Sequence, residues 1–420
     1  MPLFPAPARP RALIALGTFA AALLLAPLLS AAPAPTAAAS TAPGVASYRK
    51  LVLNEEFFSE GAAFGDLDND GHPDAVSGPY WWKGPDFKVR RDLYPAVPFN
   101  PLAYSDNFFA FIHDFNGDGW NDVLVLGFPG VDASWYLNPG DKGTAWRRHV
   151  VMLPVDNESP TFGRLLGPDK APVLVCMSRG RVGYATWDPK NPVTPWVFRP
   201  VSAPGPYQRF THGLGIGDVN GDGRPDLLDK EGWFEQPADL KGDPVWKQHK
   251  FPFAPRGGAQ MYAYDVDGDG RNDVITCLHA HGFGLSWWKN TAGPDGTITF
   301  TEQPITSPKE EEKLGGVQFS QLHALDLVDF DGDGLLDILT GKRWWAHGPK
   351  GDAQPNATPV LYAFLLRRGP GGTAAYVPHL IDEGTGIGTQ IVAADVNRDG
   401  RPDIVVGNKR GTAVLLSEKK

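Results

Sequence analysis

Cysteine is nearly absent from this chain, with only Cys176 and Cys277 in 420 residues. At most one disulfide could form. In the repeat frame set out below, the two lie two units apart. That is too far for a bond needing Cα atoms within about 7 Å. Both are therefore expected to be buried thiols, and something else must hold the fold. A basic excess is also lacking. Lys plus Arg number 39 against 48 Asp plus Glu, a net charge of −9, which argues against a nucleic-acid partner recognised through a basic footprint. Long apolar runs are absent after residue 29. The single run, Ala12 to Leu29, follows Arg9 and Arg11 and precedes small residues and proline through Pro43. This is the layout of an export signal. Residues 1–42 are expected to be a signal peptide and linker, cleaved between Ala31 and Ala42. The mature protein is then secreted or periplasmic, with no stable membrane insertion. No phosphate-binding G-x-x-x-x-G-K-[ST], no H-E-x-x-H, no C-x-x-C and no G-x-S-x-G occurs.

Glycine and proline are abundant, at 49 and 40 residues. Together they make up about a fifth of the chain, against roughly 12% on average. With an ordinary apolar fraction of 42%, this composition excludes a helical bundle and wholesale disorder. It fits short strands joined by many turns.

A nine-residue pattern, D-x-[DN]-x-D-G-x-x-D followed by a strand-like apolar run, occurs six times. Its polar positions are Asp66, Asp68, Asp70 and Asp74 in the first copy, and Asp114, Asn116, Asp118 and Asp122 in the second. Asp218, Asn220, Asp222 and Asp226 follow, then Asp265, Asp267, Asp269 and Asp273. The last two copies are Asp329, Asp331, Asp333 and Asp337, and Asp395, Asn397, Asp399 and Asp403. The starts are 48, 104, 47, 64 and 66 residues apart. The 104-residue gap hides a degenerate copy at Gly163 to Pro172, which keeps only Asp169. Seven units result, six of them acidic.

Calcium takes six to eight oxygens, and Asp or Asn at positions 1, 3 and 5 gathers three around one point. Glycine at position 6 permits the sharp turn, and Asp at position 9 is expected to close the shell. An EF-hand would carry Glu at position 12 between helices. Here Ser77, Val125, Asp229, Thr276, Thr340 and Val406 occupy it. The loops are thus expected to be β-hairpin turns holding about six structural calcium ions. They contain 21 of the 48 acids, so the acidity is local and not a steering field.

Each unit reads as four strands, A to D. The loop joins A to B, and strand C carries an aromatic residue or pair: Trp81-Trp82, Trp135-Tyr136, Trp187, Trp233-Phe234, Trp287-Trp288 and Trp344-Trp345. Four-stranded units with a repeated aromatic predict an all-β seven-bladed β-propeller over residues 47–417. The seventh unit lacks strand D. Ser47 to Asn54 has that pattern and is expected to close the ring, removing open edges. The stretch from Gly348 to Thr373 is read as an insertion between C and D.

Gly65-Asp-Leu-Asp-Asn-Asp-Gly and its copies resemble the FG-GAP or VCBS repeats of bacterial exported proteins and of integrin α-subunits. That resemblance implies a calcium-bearing propeller acting in adhesion, carbohydrate handling or scaffolding. His212-Gly-Leu-Gly-Ile-Gly-Asp with Gly232-Trp-Phe-Glu, and Gly341-Lys-Arg-Trp-Trp-Ala-His-Gly, look like the propeller of fungal aldos-2-ulose dehydratase, which eliminates water from keto-sugars. The chain leaves no room for the cupin domain that follows the propeller in that enzyme.

In a propeller, the D–A and B–C connections lie opposite the A–B loops. His212 and His323 each precede their loop by six residues, and His279 and His281 follow a B strand. All four are expected at the channel mouth, with Lys230, Lys342, Arg343, Asn408 and Lys409 in the same region. Imidazoles can move a proton beside a carbonyl while a cation stabilises the enolate. They can also hold a transition metal. His149, His249 and His379 share one strand D position and are expected on the outer surface. The primary expectation is a calcium-stabilised monomer that binds a carbohydrate or an extracellular protein at the mouth. The alternative is a lyase acting on keto-sugars there.

Overall fold

The computed structural model describes residues 45–143 and 145–418; the expected signal segment, 1–42, lies outside the described residues. Among the described residues there is one 3-10 turn, Gly140–Lys142, and all other regular structure is strand. Among the described residues, no helix is long and apolar enough to cross a membrane.

The strands form antiparallel meanders in chain order, in a propeller-like arrangement. Five stand alone as four-stranded sheets. The first is Ala63–Gly65, Asp74–Ser77, Tyr80–Trp82 and Arg90–Asp92. The second is Phe109–His113, Asp122–Leu126, Val131–Leu137 and Arg147–Val155. The third is Thr161–Gly163, Val173–Ser178, Arg181–Thr186 and Val197–Pro200. Leu325–Val328, Asp337–Gly341, Val360–Gly369 and Thr373–Glu383 make another. The last joins Ile391–Ala394, Asp403–Asn408 and Gly411–Glu418 to Ser47–Asn54 from the other end of the chain, with Ser47 opposite Glu418 and Asn54 opposite Thr412.

The remaining eight strands depart from the expectation of seven separate blades. Leu214–Gly217 pairs in parallel with Gln260–Tyr264, fusing two meanders into one eight-stranded sheet. The cause lies in the sequence. A Cβ at Gly215 would sit 1.9 Å from the Met261 carbonyl oxygen, and one at Gly217 would sit 2.3 Å from the Ala263 Cβ. Two glycines on one strand let the neighbouring backbone approach to pairing distance. Five blades are therefore separate and the rest are merged.

Strands B and C form the core. Asp122–Leu126, Val173–Ser178 and Asp273–Cys277 are buried at every position. Cys176 and Cys277 are free buried thiols. The A strands line a central cavity of about 250 Å³. Their side chains cross-link it: the Gln390 amide exchanges two hydrogen bonds with the Ala110 backbone, and Gln260 links Leu325 to Thr389.

The six acidic turns share one geometry. The position-6 glycines, Gly71, Gly119, Gly223, Gly270, Gly334 and Gly400, all have φ between 83° and 87°, a left-handed conformation that glycine adopts without steric cost. The position-9 carboxylates, Asp74, Asp122, Asp226, Asp273, Asp337 and Asp403, are fully buried. One oxygen of each accepts the N–H of loop position 2. The other accepts an N–H at the end of strand C. These aspartates clamp the hairpin to the next strand, whereas the motif alone suggests that they close a metal shell.

Two units depart from the aromatic pattern: Trp187 falls one residue past its strand, Arg181–Thr186, and the second departure is larger. Trp344 and Trp345 do not lie in a C strand, because that strand is Val360–Gly369. The insertion therefore falls between B and C, over residues 342–359, and not between C and D. This shift carries Trp344, Trp345, His347 and Asp352 to the end of the sheet opposite the acidic loop.

Candidate functional site

At that end, four side chains from four connections meet. His212 Nε2 lies 3.1 Å from His323 Nε2 and 3.1 Å from His281 Nε2. Glu158 Oε2 lies 3.4 Å from His212 Nε2 and 3.3 Å from His323 Nε2. All four offer ligand atoms within 4.8 Å of one another. For a tetrahedral ion with bonds of about 2.0–2.1 Å, neighbouring ligand atoms are separated by about 3.3–3.4 Å. The observed spacing is close to that edge.

The protonation states suit a metal. His212 Nδ1 lies 2.8 Å from the Phe210 carbonyl oxygen; donating its proton there leaves the Nε2 lone pair facing the cluster. Burial, followed by the neighbouring imidazoles, pushes His281 down. Burial also pushes His323 down. Burial alone would raise Glu158, but His212 and His323 outweigh it and hold the carboxyl well below its usual range. Neutral imidazoles and an ionised carboxylate are the ligand forms. The backbone beside the ligands is strained: Phe210 and Gln321, each two residues before a ligand histidine, have φ of 69° and 61°. Non-glycine residues hold such angles only where the surroundings impose them.

Glu158 was missed in the sequence, although register would have found it. Position −6 relative to the loop start is His212 in one unit and His323 in another. In the degenerate unit, whose loop starts at Arg164, the same position is Glu158. In the first unit it is Glu60. One structural position thus supplies three of the four cluster residues.

His279 is not in the cluster. It lines an adjoining cavity of about 450 Å³ with Arg256, His281, Phe283 and Asp352, and its ring centroid is 6.5 Å from that of His281. Asp352 accepts from His347 at 2.8 Å through both backbone and ring. Its Oδ1 is 3.6 Å from His281 Nδ1.

Lys342, Arg343 and Lys409 are all buried, and the Asp352 charge acts on each. Arg343 is ion-paired with Glu60. Lys342 Nζ donates to the Arg343 carbonyl oxygen at 3.2 Å, and Lys409 Nζ to that of Ala346 at 3.3 Å. Lys409 also sits 4.7 Å above the Tyr104 ring. Two other expected ligand residues are otherwise engaged. Lys230 pairs with Glu231. Asn408 spends its amide on the Thr385 carbonyl and its side-chain oxygen on the Arg410 N–H. His249, half-buried, stacks on Trp233 at 4.0 Å, and His149, also half-buried, lies 5.2 Å from Trp135.

Comparison with known proteins matches residues 265–340 to the FG-GAP-like repeat family and residues 387–416 to the FG-GAP repeat family. No curated protein matches the chain significantly. Several solved structures are similar. A Tc holotoxin pore chain from Photorhabdus luminescens is 20% identical with a TM-score of 0.38, covering 73% of this chain and 14% of its own. The extracellular domain of a one-component system protein from B. thetaiotaomicron is 13% identical (TM-score 0.46, 88% of this chain and 40% of that one). An auxiliary nutrient binding protein from Bacteroides ovatus is 9% identical (TM-score 0.45, 89% and 78%). The chain thus spans a small part of the first of these and under half of the second.

Proposed function

We propose, on the premise that the chain is an FG-GAP-repeat β-propeller, that it is exported and holds one divalent transition metal at Glu158, His212, His281 and His323, where it binds an oxygen-rich small ligand such as a carbohydrate. The observation that carries this reading is the convergence of three Nε2 atoms and one carboxylate oxygen at 3.1–3.4 Å. When bound, the ion would have four protein ligands and would polarise a ligand carbonyl or hydroxyl oxygen only by accepting it as a fifth ligand. The chain's own residues do the rest. Asp352 and the Phe210 carbonyl orient imidazoles. His279 and Arg256 line the cavity through which a ligand reaches the cluster.

The fold-level reading is that the eight-stranded sheet counts as two blades, so that Ser47–Asn54 closes a seven-membered ring. The acidic loops are proposed as structural calcium sites. In three of them, positions 1, 3 and 5 bring carboxylates within 4.8 Å of one another.

An enzymatic version is favoured by His279. Burial, then the Arg256 charge, pushes its ring down from the ordinary imidazole range, and it lines the same cavity. It could take the proton from a carbon beside a ligand carbonyl. That electron pair would form the C=C bond as the β-hydroxyl leaves, protonated, as water.

Metal content decides the first claim. Protein dialysed against metal-free buffer and then loaded with zinc should retain about one equivalent, and His323→Ala should retain less than about a tenth of that. Equal zinc in both proteins would sink the reading. Dehydration of keto-sugars by the loaded protein, lost in His279→Ala, would select the enzymatic version.

A further inference from the structure

The B–C connections that hold Lys342 and Lys409 carry more positive charge than the protein neutralises. Lys342 is 0% exposed and Lys409 is 5% exposed. Neither forms an ion pair with a carboxylate among the described residues. Each has one long hydrogen bond to a backbone carbonyl, so N–H donors on both ammonium groups are left over. The nearby acids pair with neither lysine: Glu60 pairs with Arg343, and Asp352, hydrogen-bonded to His347, acts on them only through its charge. An unpaired buried charge is among the costliest features a fold can keep. Apolar residues of the same volume would fit as well, so this pair is not explained by packing. Trp345, in the same connection, is held at φ 53°, and its buried indole N–H has no acceptor. Donors on Lys342 and Trp345 in this connection, and on Lys409 in the turn between Asp403–Asn408 and Gly411–Glu418, therefore wait for acceptors the chain does not provide.

We propose that Lys342 and Lys409 form an anion subsite for a carboxylate carried by the ligand, so that the oxygen-rich molecule bound at this mouth is a sugar acid and not a neutral sugar. Charge balance favours a monoanion. With Arg343 neutralised by Glu60, two ammonium groups face the single carboxylate of Asp352, leaving one positive charge to match. A phosphate dianion would exceed it. The Asp352 charge acts on Lys342 and Lys409, and its carboxylate lies 3.6 Å from His281 Nδ1. The electrostatics agree with ammonium groups lacking a counter-ion: burial pushes Lys342 down to about 8, and burial with the Arg343 charge pushes Lys409 down to about 7. Tyr104 and Phe57, over which Lys409 lies, compensate its charge only in part.

This inference rests on the proposed ligand site but not on its metal, and the test separates the two. Binding of D-glucuronate and D-glucose is measured by calorimetry on zinc-loaded wild type, on Lys342→Met, on Lys409→Met and on metal-free His323→Ala. Glucuronate should bind wild type at least about tenfold more tightly than glucose, and each Met variant should lose that preference. The Met variants should melt no lower than wild type, because an apolar isostere relieves an unpaired buried charge. In His323→Ala the preference for glucuronate should persist at weaker affinity. If His323→Ala retains zinc, the metal reading fails while the anion subsite stands. Equal affinity for the two sugars in wild type, no glucuronate binding, or a preference unchanged in both Met variants would overturn the subsite. So would Met variants that melt well below wild type, since the lysines would then be structural.

Discussion

The two ends of these sheets handle charge in opposite ways. At the acidic-loop end, charges recur from unit to unit and are answered locally. Lys83 pairs with Asp68 and Asp70, Lys289 with Asp267 and Asp269, and Arg367 with Asp331 and Asp333. These are the three loops with Asp at position 3. The three loops with Asn there have no such partner from strand C among the described residues. At the opposite end, charges occur once each, are buried, and are left unanswered in part. Repetition with local compensation marks what builds the fold. Singular, uncompensated polar groups mark what the fold is for.

The sharpest way to break this contrast is to attack one clamp. Asp337→Ala removes the acceptor of the Phe330 and Leu366 N–H groups and leaves both buried. Two orphaned backbone donors should cost about 2–5 kcal/mol, read as a fall in urea midpoint. His323→Ala at the other end should cost less in the metal-free protein, because it orphans no backbone donor and Glu158 keeps His212 as a partner. Comparable losses from the two substitutions would erase the distinction between scaffold and site.

Much of this was legible in the sequence because repetition amplifies weak signals. One D-x-D-x-D-G is ambiguous, whereas six in phase fixed the hairpins, and the repeat register sent His212, His281 and His323 to one end. The failures occurred where one unit departs from the others. Trp344-Trp345 matched the strand C pattern but sits in a connection, since nothing in a tryptophan pair distinguishes a packed strand from a strained turn. Glu158 was hidden because its unit had lost the acidic loop that sets the register. The merged sheet depends on close backbone approach at Gly215 and Gly217, which composition alone does not reveal. His347 and Asp352 lie in an insertion with no counterpart in other units.

A smaller effect sharpens the contrast through pH. Lys342 and Lys409 titrate lower in the folded protein than in the unfolded chain, where lysine has a pKa of about 10.4. Between about pH 7 and pH 10 the unfolded state therefore binds more protons, so the lysines' penalty is full below pH 7 and shrinks as pH rises. The Lys342→Met/Lys409→Met double variant should be more stable than wild type at pH 6.5 by about 1–4 kcal/mol. Its advantage should narrow by pH 9.5. An advantage that stays constant across that range would mean the amines are not charged against burial.

The smallest expected effect tests the compensated end. Lys83 and its partners are partly exposed, and such pairs contribute about 0–1 kcal/mol. Lys83→Met should therefore change calcium-free stability by less than about 1 kcal/mol. It should act more clearly on calcium, because the ammonium and the ion compete for Asp68 and Asp70. Chelation with EGTA should lower the wild-type melting temperature by several degrees, since an ion bound only by the native state stabilises it. Removing the competing ammonium should widen that drop by about a degree. A Lys83→Met protein with an unchanged chelation response would show that the lysine does not compete with calcium at this loop. A wild type that ignores EGTA would show that tethered cations already serve these loops in place of calcium.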